Sequence, residues 1–277
     1  MKISHWIDTA MAQLINSTSP KLDAEILLSM VIKKPRSWII AFDDSLLTTP
    51  SLRKLKKLLQ QRAIGTPISY LTGEREFWSM TFNVTPNVLI PRADSEILVE
   101  KALTLIPLNK ACSILDLGTG CGAIAIAIAS EREDCQVLGI DNSIAAIKVA
   151  KQNAISLGYT NVSFIPGNWF STIGKRQFYI IVSNPPYINI SDEHLLKEDI
   201  RFEPMSALIS SDNGLADIKC IVKQAKYYLI SGGWLLIEHG WKQAEYVRTI
   251  LEGNGFCQVQ TSQDYSGNDR ITFGLLY

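Results

Sequence analysis

The fold is decided by residues 113–123, which read Ser113-Ile114-Leu115-Asp116-Leu117-Gly118-Thr119-Gly120-Cys121-Gly122-Ala123. The first five residues are mainly apolar and predict a short buried strand. The glycines that follow allow a tight turn in which the backbone can approach a ligand closely, and Ala123 opens a helix. A strand, a glycine-rich loop and a helix in this order predict a cofactor-binding loop in a doubly wound α/β fold.

The loop itself leaves two cofactors open. Gly118, Gly120 and Ala123 fit the G-x-G-x-x-G/A fingerprint of dinucleotide-binding enzymes. Asp116 and Gly122 extend it to D-x-G-x-G-x-G, which is similar to the loop of class I S-adenosylmethionine-dependent methyltransferases. The pattern favours S-adenosylmethionine over NAD, although Asp116 could equally serve to hold the loop's own amides.

The loop belongs to a series of alternating strands and helices. The predicted strands are residues 113–117, 136–140, 162–165, 179–183, 234–238, 257–261 and 271–275. The predicted helices are residues 123–130, 144–157, 215–229 and 242–252, with another from the Pro91–Glu96 segment to about residue 105. Repeated βα units predict a Rossmann-like seven-stranded, mostly parallel sheet. The last two strands, with no full helix between them, suit an antiparallel edge pair. Asp141, at the end of the second strand, is expected to accept hydrogen bonds from both ribose hydroxyls of the cofactor.

The first seventy residues have a different pattern. Apolar residues recur at helical spacing, and Pro20, Pro35, Pro50 and Pro67 each lie near a possible first turn. We therefore predict an N-terminal helical bundle over residues 1–73, a β-hairpin linker over 74–91 and a catalytic α/β domain over 92–277.

A second motif, Asn184-Pro185-Pro186-Tyr187, follows the fourth strand of the predicted sheet, which should lie next to the first. In such sheets the carboxyl ends of the central strands face the ligand crevice. The Asn184 side-chain oxygen and the Pro185 carbonyl can together accept both hydrogens of one NH₂ group, and Tyr187 offers a flat face to a planar substrate. The motif thus predicts methyl transfer to a planar nitrogen, since two acceptors make such a nitrogen more nucleophilic. A plain turn after a buried strand is the alternative.

Composition excludes several classes of protein. Hydrophobic residues make up 47% and charged residues 19% of the chain, and the formal net charge is zero, which argues against a protein that binds many phosphates. Residues 1–75 nevertheless carry eleven Lys or Arg against six Asp or Glu. The basic cluster at Arg53, Lys54, Lys56 and Lys57 is either a solvated helix face or a docking surface.

The remaining signals concern location and metals. Five cysteines without CxxC spacing and three widely separated histidines predict reduced thiols and no metal site. The N-terminus lacks the layout of a signal peptide, and no apolar run approaches the eighteen residues of a membrane span. We expect a soluble, cytoplasmic protein.

Together the motifs resemble those of the bacterial peptide-chain-release-factor glutamine methyltransferases, the PrmC or HemK family. The resemblance covers nearly the whole chain. It is carried by Tyr70–Glu74 with Phe77-Trp78, Leu89–Arg92 with Asp94 and Glu96, Asp116–Ala123, Asn168-Trp169, Ser183–Tyr187, Phe202–Pro204 with Ala207-Leu208, and Gly267 with Asp269-Arg270.

The resemblance implies methylation of the side-chain amide of the Gly-Gly-Gln glutamine in bacterial class I release factors, with S-adenosylhomocysteine as product. It implies cofactor contacts from Gly118, Thr119, Gly120, Cys121, Gly122, Asp141, Trp169 and Asn184, with Trp169 against the adenine. It implies catalytic roles for Asn184, Pro185 and Tyr187, and substrate contacts from Asn184, Pro185, Pro186 and Tyr187. The helical region would grip the release factor.

Some points stay open against this family pattern. Ala93 and Ser95 stand where the family usually has proline and threonine, and Cys121 where many members have threonine or serine. Arg92, Asp94 and Glu96 could cap the following helix or help to close the cofactor pocket. The rival functions are an adenine or guanine amino-methyltransferase, an NAD-dependent enzyme and an inactive binding module. The acidic catalytic half and the lack of a long inserted domain argue against a nucleic-acid substrate.

Overall fold

The computed structural model describes residues 1–108, 110–196 and 200–277. It divides into two compact units. The first is Met1–Glu74 together with Leu196–Phe202, and the second is Arg75–Leu195 together with Glu203–Tyr277. The first unit thus includes a segment that lies outside the predicted 1–73 boundary.

The first unit is helical. Its helices are α1 (Ile3–Gln13), α2 (Pro20–Ile32), α3 (Arg36–Ala41), α4 (Thr49–Ala63) and α5 (Ile68–Thr72). Pro20 and Pro50 occupy the first or second residue of a helix, where a missing N–H costs nothing, and Pro35 and Pro67 directly precede one. Leu27, Leu28, Leu55 and other apolar side chains fill its core, as the helical spacing predicts.

Charged residues of this unit follow two patterns. The Arg62 guanidinium donates to the buried Asp23 carboxylate over 2.6 Å, which satisfies a charge that would otherwise be costly to bury. The four basic residues 53, 54, 56 and 57 of α4 are all exposed, on either side of the buried Leu55. The structure therefore places the basic cluster on a solvated face of the helix.

The second unit contains the sheet. Its strands and helices are, in chain order, β1 (Glu74–Phe77), β2 (Met80–Asn83), α6 (Glu96–Leu105), β3 (Ser113–Leu117), α7 (Ala123–Glu131), β4 (Gln136–Asp141), α8 (Ile144–Leu157), β5 (Val162–Pro166), β6 (Phe178–Ser183), α9 (Ser211–Gly214), α10 (Ala216–Ala225), β7 (Leu229–Glu238), α11 (Ala244–Gly253), β8 (Cys257–Gln263) and β9 (Asp269–Leu276). Short 3₁₀ turns lie at Ala93–Ser95, Glu193–Leu196 and Met205–Ala207, and a further one at Ile200–Phe202 belongs to the first unit.

The seven-stranded sheet has the order β5-β4-β3-β6-β7-β9-β8. The first five strands run parallel, and β9 pairs antiparallel with both β7 and β8. The α/β class, the parallel sheet and the antiparallel edge pair are confirmed. So is the adjacency of β3 and β6, which pair from Ile114 with Ile180 to Leu117 with Ser183.

One predicted helix is too long. The helix expected over residues 215–229 ends at Ala225, and Leu229 already belongs to β7, where it pairs with Phe178 of β6. A register irregularity follows in that pairing, and Gly232 has a positive φ of 79°. The Gly232-Gly233 pair is typical of a helix end, but tertiary pairing of the strand overrides that local signal.

The hairpin β1–β2 lies within residues 74–91, where a β-hairpin linker is predicted, and its turn is formed in an unexpected way. Both turn residues, Trp78 and Ser79, have positive φ values of 52° and 55°. Non-glycine residues rarely adopt this conformation unless neighbouring groups hold them. The Trp78 amide donates to the Glu96 carboxylate over 2.9 Å, and its indole N–H donates to Glu131 over 2.8 Å. These two carboxylates fix the turn.

Candidate functional site

A cavity of about 540 Å³ opens at the carboxyl ends of β3, β4 and β6. This is the edge at which ligands bind in doubly wound sheets. The lining residues are Pro86–Leu89, Gly118, Gly120, Ile140–Ser143, Ala146, Gly167–Trp169, Asn184, Pro186, Pro204, Ser206, Ala207, Asp217 and Cys220. The volume lies within the range of small-molecule and cofactor sites.

The glycine loop between β3 and α7 forms one wall of this cavity. Gly118, Gly120 and Gly122 have φ values of 75°, 56° and 86°, a region that side chains disfavour. A Cβ on Gly118 would lie 3.5 Å from the Trp169 ring, so its absence keeps the backbone open to a ligand. A Cβ on Gly122 would lie 3.0 Å from Phe164 and 3.1 Å from Ala150. The third glycine therefore serves packing behind the loop, and the first serves the cavity.

The hydrogen bonds of the loop discriminate between the two cofactors that the sequence left open. The amides of Gly118 and Thr119 donate to the Ile140 carbonyl, and the Gly122 amide donates to the Thr119 carbonyl. The Gly120 amide donates to the Asp141 carboxylate over 2.9 Å. A pyrophosphate needs free loop amides, and these four already have acceptors inside the protein. The loop is thus poorly suited to a dinucleotide.

The charge of the cavity also favours S-adenosylmethionine over a dinucleotide. Asp141 and Asp217 line it, and the described lining residues include neither Lys nor Arg. Asp116 is fully buried directly beneath the loop. An acidic, uncompensated site attracts a cation and repels phosphate. The residues present therefore fit the positively charged sulfonium and ammonium groups of S-adenosylmethionine.

Asp116 is held in an unfavourable environment for a charge. One carboxylate oxygen accepts a 2.6 Å hydrogen bond from the Thr119 hydroxyl, whereas the other, Oδ1, has no hydrogen-bond partner among the described residues. Burial raises the pKa of Asp116 from 3.8 to about 7, an effect that the Thr119 hydroxyl only partly opposes. An orphaned buried oxygen at a ligand loop is the kind of group that a bound cation can satisfy.

Asp141 is in a better-compensated position at the end of β4. Its two oxygens accept the Gly120 amide over 2.9 Å and the Ser143 amide over 2.8 Å. Burial raises its pKa, and these two amides oppose that effect. A carboxylate has about four acceptor positions, so Asp141 retains capacity for the two hydroxyls of a ribose. Its part in ribose binding stays a prediction.

Trp169 lines the cavity next to the first glycine of the loop. It adopts a positive φ of 48°, which is rare for an aromatic residue, and its ring faces Gly118. One part of the side chain packs against the core cluster around Phe170, and another lines the cavity. A flat aromatic surface at this place suits a planar base such as adenine, as the family resemblance implies.

Asn184 directly follows β6 and lies beside the cofactor loop. The Ser183 hydroxyl donates to the Leu117 carbonyl over 2.8 Å, which ties the ends of β6 and β3 together. The backbone carbonyl oxygen of Asn184 would be 3.8 Å from a Cβ on Gly118. The Asn184 amide nitrogen donates to the Ser95 hydroxyl over 3.1 Å. That bond occupies the nitrogen end of the side chain and leaves its oxygen as an acceptor.

The other three residues of the tetrapeptide differ in exposure. Pro185 is buried, whereas Pro186 lines the cavity. Tyr187 is half-buried against the core cluster, and its hydroxyl points to the Glu238 carboxylate at 3.5 Å. Burial raises the pKa of Tyr187, so it is a neutral phenol. The Tyr187 carbonyl accepts from Gln243 over 3.1 Å, which anchors the end of the motif.

The segment Pro91–Glu96 has roles that the sequence left open. The Arg92 guanidinium pairs with the buried Glu203 carboxylate, which also accepts from the Ile90 amide over 3.2 Å. Asp94 pairs with Arg270 over 3.3 Å, and Glu96 holds the hairpin turn. Within the part of the chain that the structure describes, no side chain caps the start of α6. Glu203 thus joins the residues before α6 to the Pro204–Ala207 segment, of which Pro204, Ser206 and Ala207 line the cavity.

The structure separates the predicted site residues into two groups. Those that line the cavity are Gly118, Gly120, Asp141, Trp169, Asn184 and Pro186. Those that are not among its lining residues are Thr119, Cys121, Gly122, Pro185 and Tyr187. Cys121 in particular is buried, which raises the pKa of its thiol to about 12. Two residues without a predicted role, Ser95 and Glu238, lie against the reactive motif. For Ser95, its position within the Pro91–Glu96 segment could have suggested a role at the site. For Glu238, the sequence gives no such signal.

Comparison with known proteins identifies the family. Residues 108–269 match the model of a methyltransferase domain, and residues 5–73 match that of the PrmC N-terminal domain. The release factor glutamine methyltransferase of Escherichia coli is 47% identical over 277 residues, which is 100% of both chains. That of Salmonella typhimurium is 49% identical over 274 residues, 99% of each chain. This chain belongs to the release factor glutamine methyltransferase family. The enzyme class and the S-adenosylmethionine cofactor predicted from the sequence are confirmed.

Solved structures support the fold of the family. The superposition on a methyltransferase from Pyrococcus furiosus includes 80% of this chain and 98% of that protein, with a TM-score of 0.53 and 17% identity. A 16S rRNA guanine methyltransferase from T. thermophilus covers 74% of this chain and 50% of its own, with a TM-score of 0.55 and 20% identity. At these identities the likeness concerns the fold alone. In the described residues, no helix has the length and apolar character of a membrane span.

Proposed function

We propose that this chain transfers the methyl group of S-adenosylmethionine to the side-chain amide nitrogen of the Gly-Gly-Gln glutamine in bacterial class I release factors. The supporting observation is the placement of Asn184. Its side-chain nitrogen donates to Ser95, which leaves its side-chain oxygen as an acceptor, and its backbone carbonyl lies beside Gly118 of the cofactor loop. The full-length similarity to relatives named release factor glutamine methyltransferase supplies the substrate class.

The residues of the site solve the problem of a poor nucleophile. An amide nitrogen has a delocalised lone pair, and acceptors on both of its hydrogens favour the pyramidal form in which that lone pair is available. The Asn184 oxygen and the Pro185 carbonyl are suited to accept these two hydrogens. S-adenosylmethionine supplies an electrophilic methyl on a sulfonium ion, and S-adenosylhomocysteine remains when the nitrogen–carbon bond has formed. The amide proton then leaves to solvent.

The cofactor is held by the loop residues, by Trp169 and by three carboxylates near the loop. Gly118 and Gly120 give access to the backbone, Asp141 accepts from the ribose, and Trp169 lies on the adenine. Asp116 and Asp217 provide the negative field that favours a cation in the cavity. Thr119, Cys121 and Gly122 act from behind by shaping the loop. The site works by placement and electrostatics, and placement alone can remove roughly 7–11 kcal/mol of a barrier as an upper range.

The helical unit is proposed to bind the release factor at a distance from the glutamine. The exposed basic residues of α4 offer one surface for such a contact. The proposal includes a cytoplasmic location, where release factors act, and excludes nucleic acid as methyl acceptor. The absence of basic residues among the described lining of the cavity supports that exclusion, because base-modifying enzymes need to hold phosphates nearby.

A transfer assay with labelled cofactor tests the proposal. The purified chain should label a bacterial class I release factor, and it should not label the same factor with the Gly-Gly-Gln glutamine replaced. Asn184→Ala should abolish transfer while retaining most of the cofactor affinity. Equal labelling of the substituted factor, or labelling of DNA or ribosomal RNA in place of the release factor, would refute the substrate assignment.

A further inference from the structure

Gln243, which directly precedes α11, contacts the reactive motif from behind and takes no part in the transfer step. Its amide nitrogen donates to two backbone carbonyls, those of Tyr187 and Asn213, each over 3.1 Å. Its amide oxygen accepts from the Gly240 amide over 2.9 Å. The side chain is half-buried. Both hydrogens and the oxygen of this carboxamide are therefore used inside the protein.

The partners of Gln243 decide the orientation of its side chain. The two ends of a carboxamide are nearly equal in size, and a half-turn exchanges them. Here all three partners are backbone groups with fixed roles, because a carbonyl can only accept and an amide N–H can only donate. A turned carboxamide would place its oxygen against two carbonyls and its nitrogen against an N–H. A carboxylate of the same length could not donate to either carbonyl. The position is thus specific for glutamine.

The Asn184–Tyr187 motif has to be held from its two ends. Pro185 and Pro186, in the middle, have no backbone N–H with which to bind a neighbour. The amino end is fixed by two side chains, since the Ser183 hydroxyl donates to the Leu117 carbonyl and the Asn184 amide donates to Ser95. The carboxyl end requires a separate anchor.

Gln243 provides half of that anchor. The peptide group between Tyr187 and Ile188 is held on both of its sides. Its carbonyl accepts from Gln243 over 3.1 Å, and its N–H donates to the Leu208 carbonyl over 2.9 Å. Two bonds on opposite sides fix the plane of a peptide group. Removal of one of them leaves the group free to rotate about the other.

The second carbonyl bound by Gln243 belongs to a segment in an unfavourable conformation. Asp212, Asn213 and Gly214 have φ values of 55°, 55° and 82° in succession. Non-glycine residues persist in this region only where the surrounding structure holds them. A Cβ on Gly214 would lie 2.0 Å from the Tyr187 carbonyl oxygen and 2.7 Å from the Gln243 amide nitrogen. The segment is therefore shaped around the bond between Gln243 and Tyr187.

We propose that Gln243 is a positioning residue that sets the place of the Pro185 carbonyl, the second acceptor for the substrate amide, by fixing the Tyr187 carbonyl. The proposal rests on the proposed function, since it concerns that amide group. The two prolines are stiff, so a rotation at the Tyr187 peptide shifts the Pro185 carbonyl. The described residues that line the cavity include neither Gln243 nor Tyr187 nor Asn213, so the cofactor does not depend on this anchor.

Two substitutions at residue 243 provide the test. Gln243→Met removes all three hydrogen bonds at similar length, and Gln243→Glu keeps an acceptor for the Gly240 amide but loses both donors. We expect each to lower kcat for release-factor methylation about tenfold to a hundredfold, the cost of a small misplacement of reacting groups. Affinity for S-adenosylmethionine in calorimetry should not change. That titration also counts the active sites, and thermal melting shows whether each variant is folded.

Asn161→Asp is the matched control. Asn161 directly precedes β5, at the amino ends of the parallel strands and so at the edge opposite the cavity. Its amide nitrogen likewise donates to backbone carbonyls, those of Ala129, Arg132 and Cys135. Asn161→Asp should lower the melting temperature as the Gln243 variants do, but should leave kcat unchanged.

A second pair of variants acts on the same carbonyl from the other side. Gly214→Ala places a methyl group against the Tyr187 carbonyl and should also lower kcat without affecting cofactor affinity. Gly158→Ala is its control, because Gly158 has the same φ of 82° and a Cβ there would meet no described atom within 4 Å. In the double variant Gln243→Met with Gly214→Ala, the loss of kcat should be smaller than the product of the two single losses, because both changes displace one group.

Three results would overturn the positioning role while the wild-type activity stands. These are an unchanged kcat in both Gln243 variants, an equal loss of kcat in Asn161→Asp, and a loss of cofactor affinity that accounts for the whole effect. Fully multiplicative losses in the double variant would count against the shared carbonyl. A wild-type chain that does not label the release factor at all would overturn the proposed function and this inference together.

Discussion

Asp116→Asn is expected to make the protein more stable at neutral and alkaline pH. The Asp116 carboxyl is completely buried, and its Oδ1 atom has no hydrogen-bond partner among the described residues. Because burial raises the pKa above that of the unfolded chain, this group stabilises the fold fully only below pH 3.8 and loses that contribution as pH rises through about 7. Asparagine has no charge to bury and should not show the loss.

The size of the effect follows from the pKa. A rise from 3.8 to about 7 corresponds to about 4 kcal/mol of unfolding free energy, at about 1.4 kcal/mol for each pH unit. Of this, about 3 kcal/mol should be lost between about pH 5 and about pH 8. Asp116 is fully buried, so solvent screening does not reduce the figure. The same substitution should weaken the binding of S-adenosylmethionine, because it removes a negative charge beneath the loop that faces the cation.

Urea unfolding at about pH 5 and about pH 8 measures the first effect, and calorimetric titration with S-adenosylmethionine measures the second. The difference in stability between Asp116→Asn and wild type should grow with pH. Asp134→Asn is a suitable control, since Asp134 is exposed and its pKa is lowered by Arg132, so its loss should give no gain at high pH. A variant that is less stable than wild type at about pH 8, and that binds the cofactor equally well, would refute the electrostatic reasoning.

Three further predictions concern the cavity wall. Asp141→Ala removes the proposed acceptor of the ribose hydroxyls and also the acceptor of the Gly120 and Ser143 amides. Calorimetry should therefore show at least a tenfold loss of S-adenosylmethionine affinity, because a hydrogen bond to a charged group contributes about 1.5–3 kcal/mol. Trp169→Phe should retain much of the cofactor affinity that Trp169→Ala loses, as measured by the same titration, because phenylalanine keeps a flat face. Glu203→Gln keeps an acceptor for the Ile90 amide but loses the ion pair with Arg92. Because Glu203 directly precedes the Pro204–Ala207 segment at the cavity, we expect steady-state kinetics to show a higher KM for the cofactor with little change in kcat.

The sequence predicts the sheet and the cofactor loop well because their signals are local. The apolar run before Gly118 and the alternation of strands and helices are sufficient to infer the pairing of β3 with β6. The predicted end of the helix before β7 was wrong, also because the signals used are local. Gly232-Gly233 is locally typical of a helix end, and only the pairing of Leu229 with Phe178 shows that the strand has already begun.

The supporting contacts of the site could not be predicted, because they join residues far apart in the chain. Ser95 and Asn184 are separated by 89 positions, and Tyr187 and Glu238 by 51. Nothing in the local pattern around Glu238 distinguishes it from the end of an ordinary strand. The same holds for the turn at Trp78, whose positive φ depends on a carboxylate 18 positions away. These contacts arise from tertiary structure, and it is there that the chain departs from local rules.

Tandem mass spectrometry of the methylated release factor tests the central claim most directly. The factor is incubated with the wild-type chain and S-adenosylmethionine, and the peptide that carries the Gly-Gly-Gln motif is fragmented. We predict a single methyl group on the side-chain amide of that glutamine, and none after incubation with Asn184→Ala. A methyl group on any other residue, or an unmodified glutamine in a factor that the wild-type chain has labelled, would contradict the account.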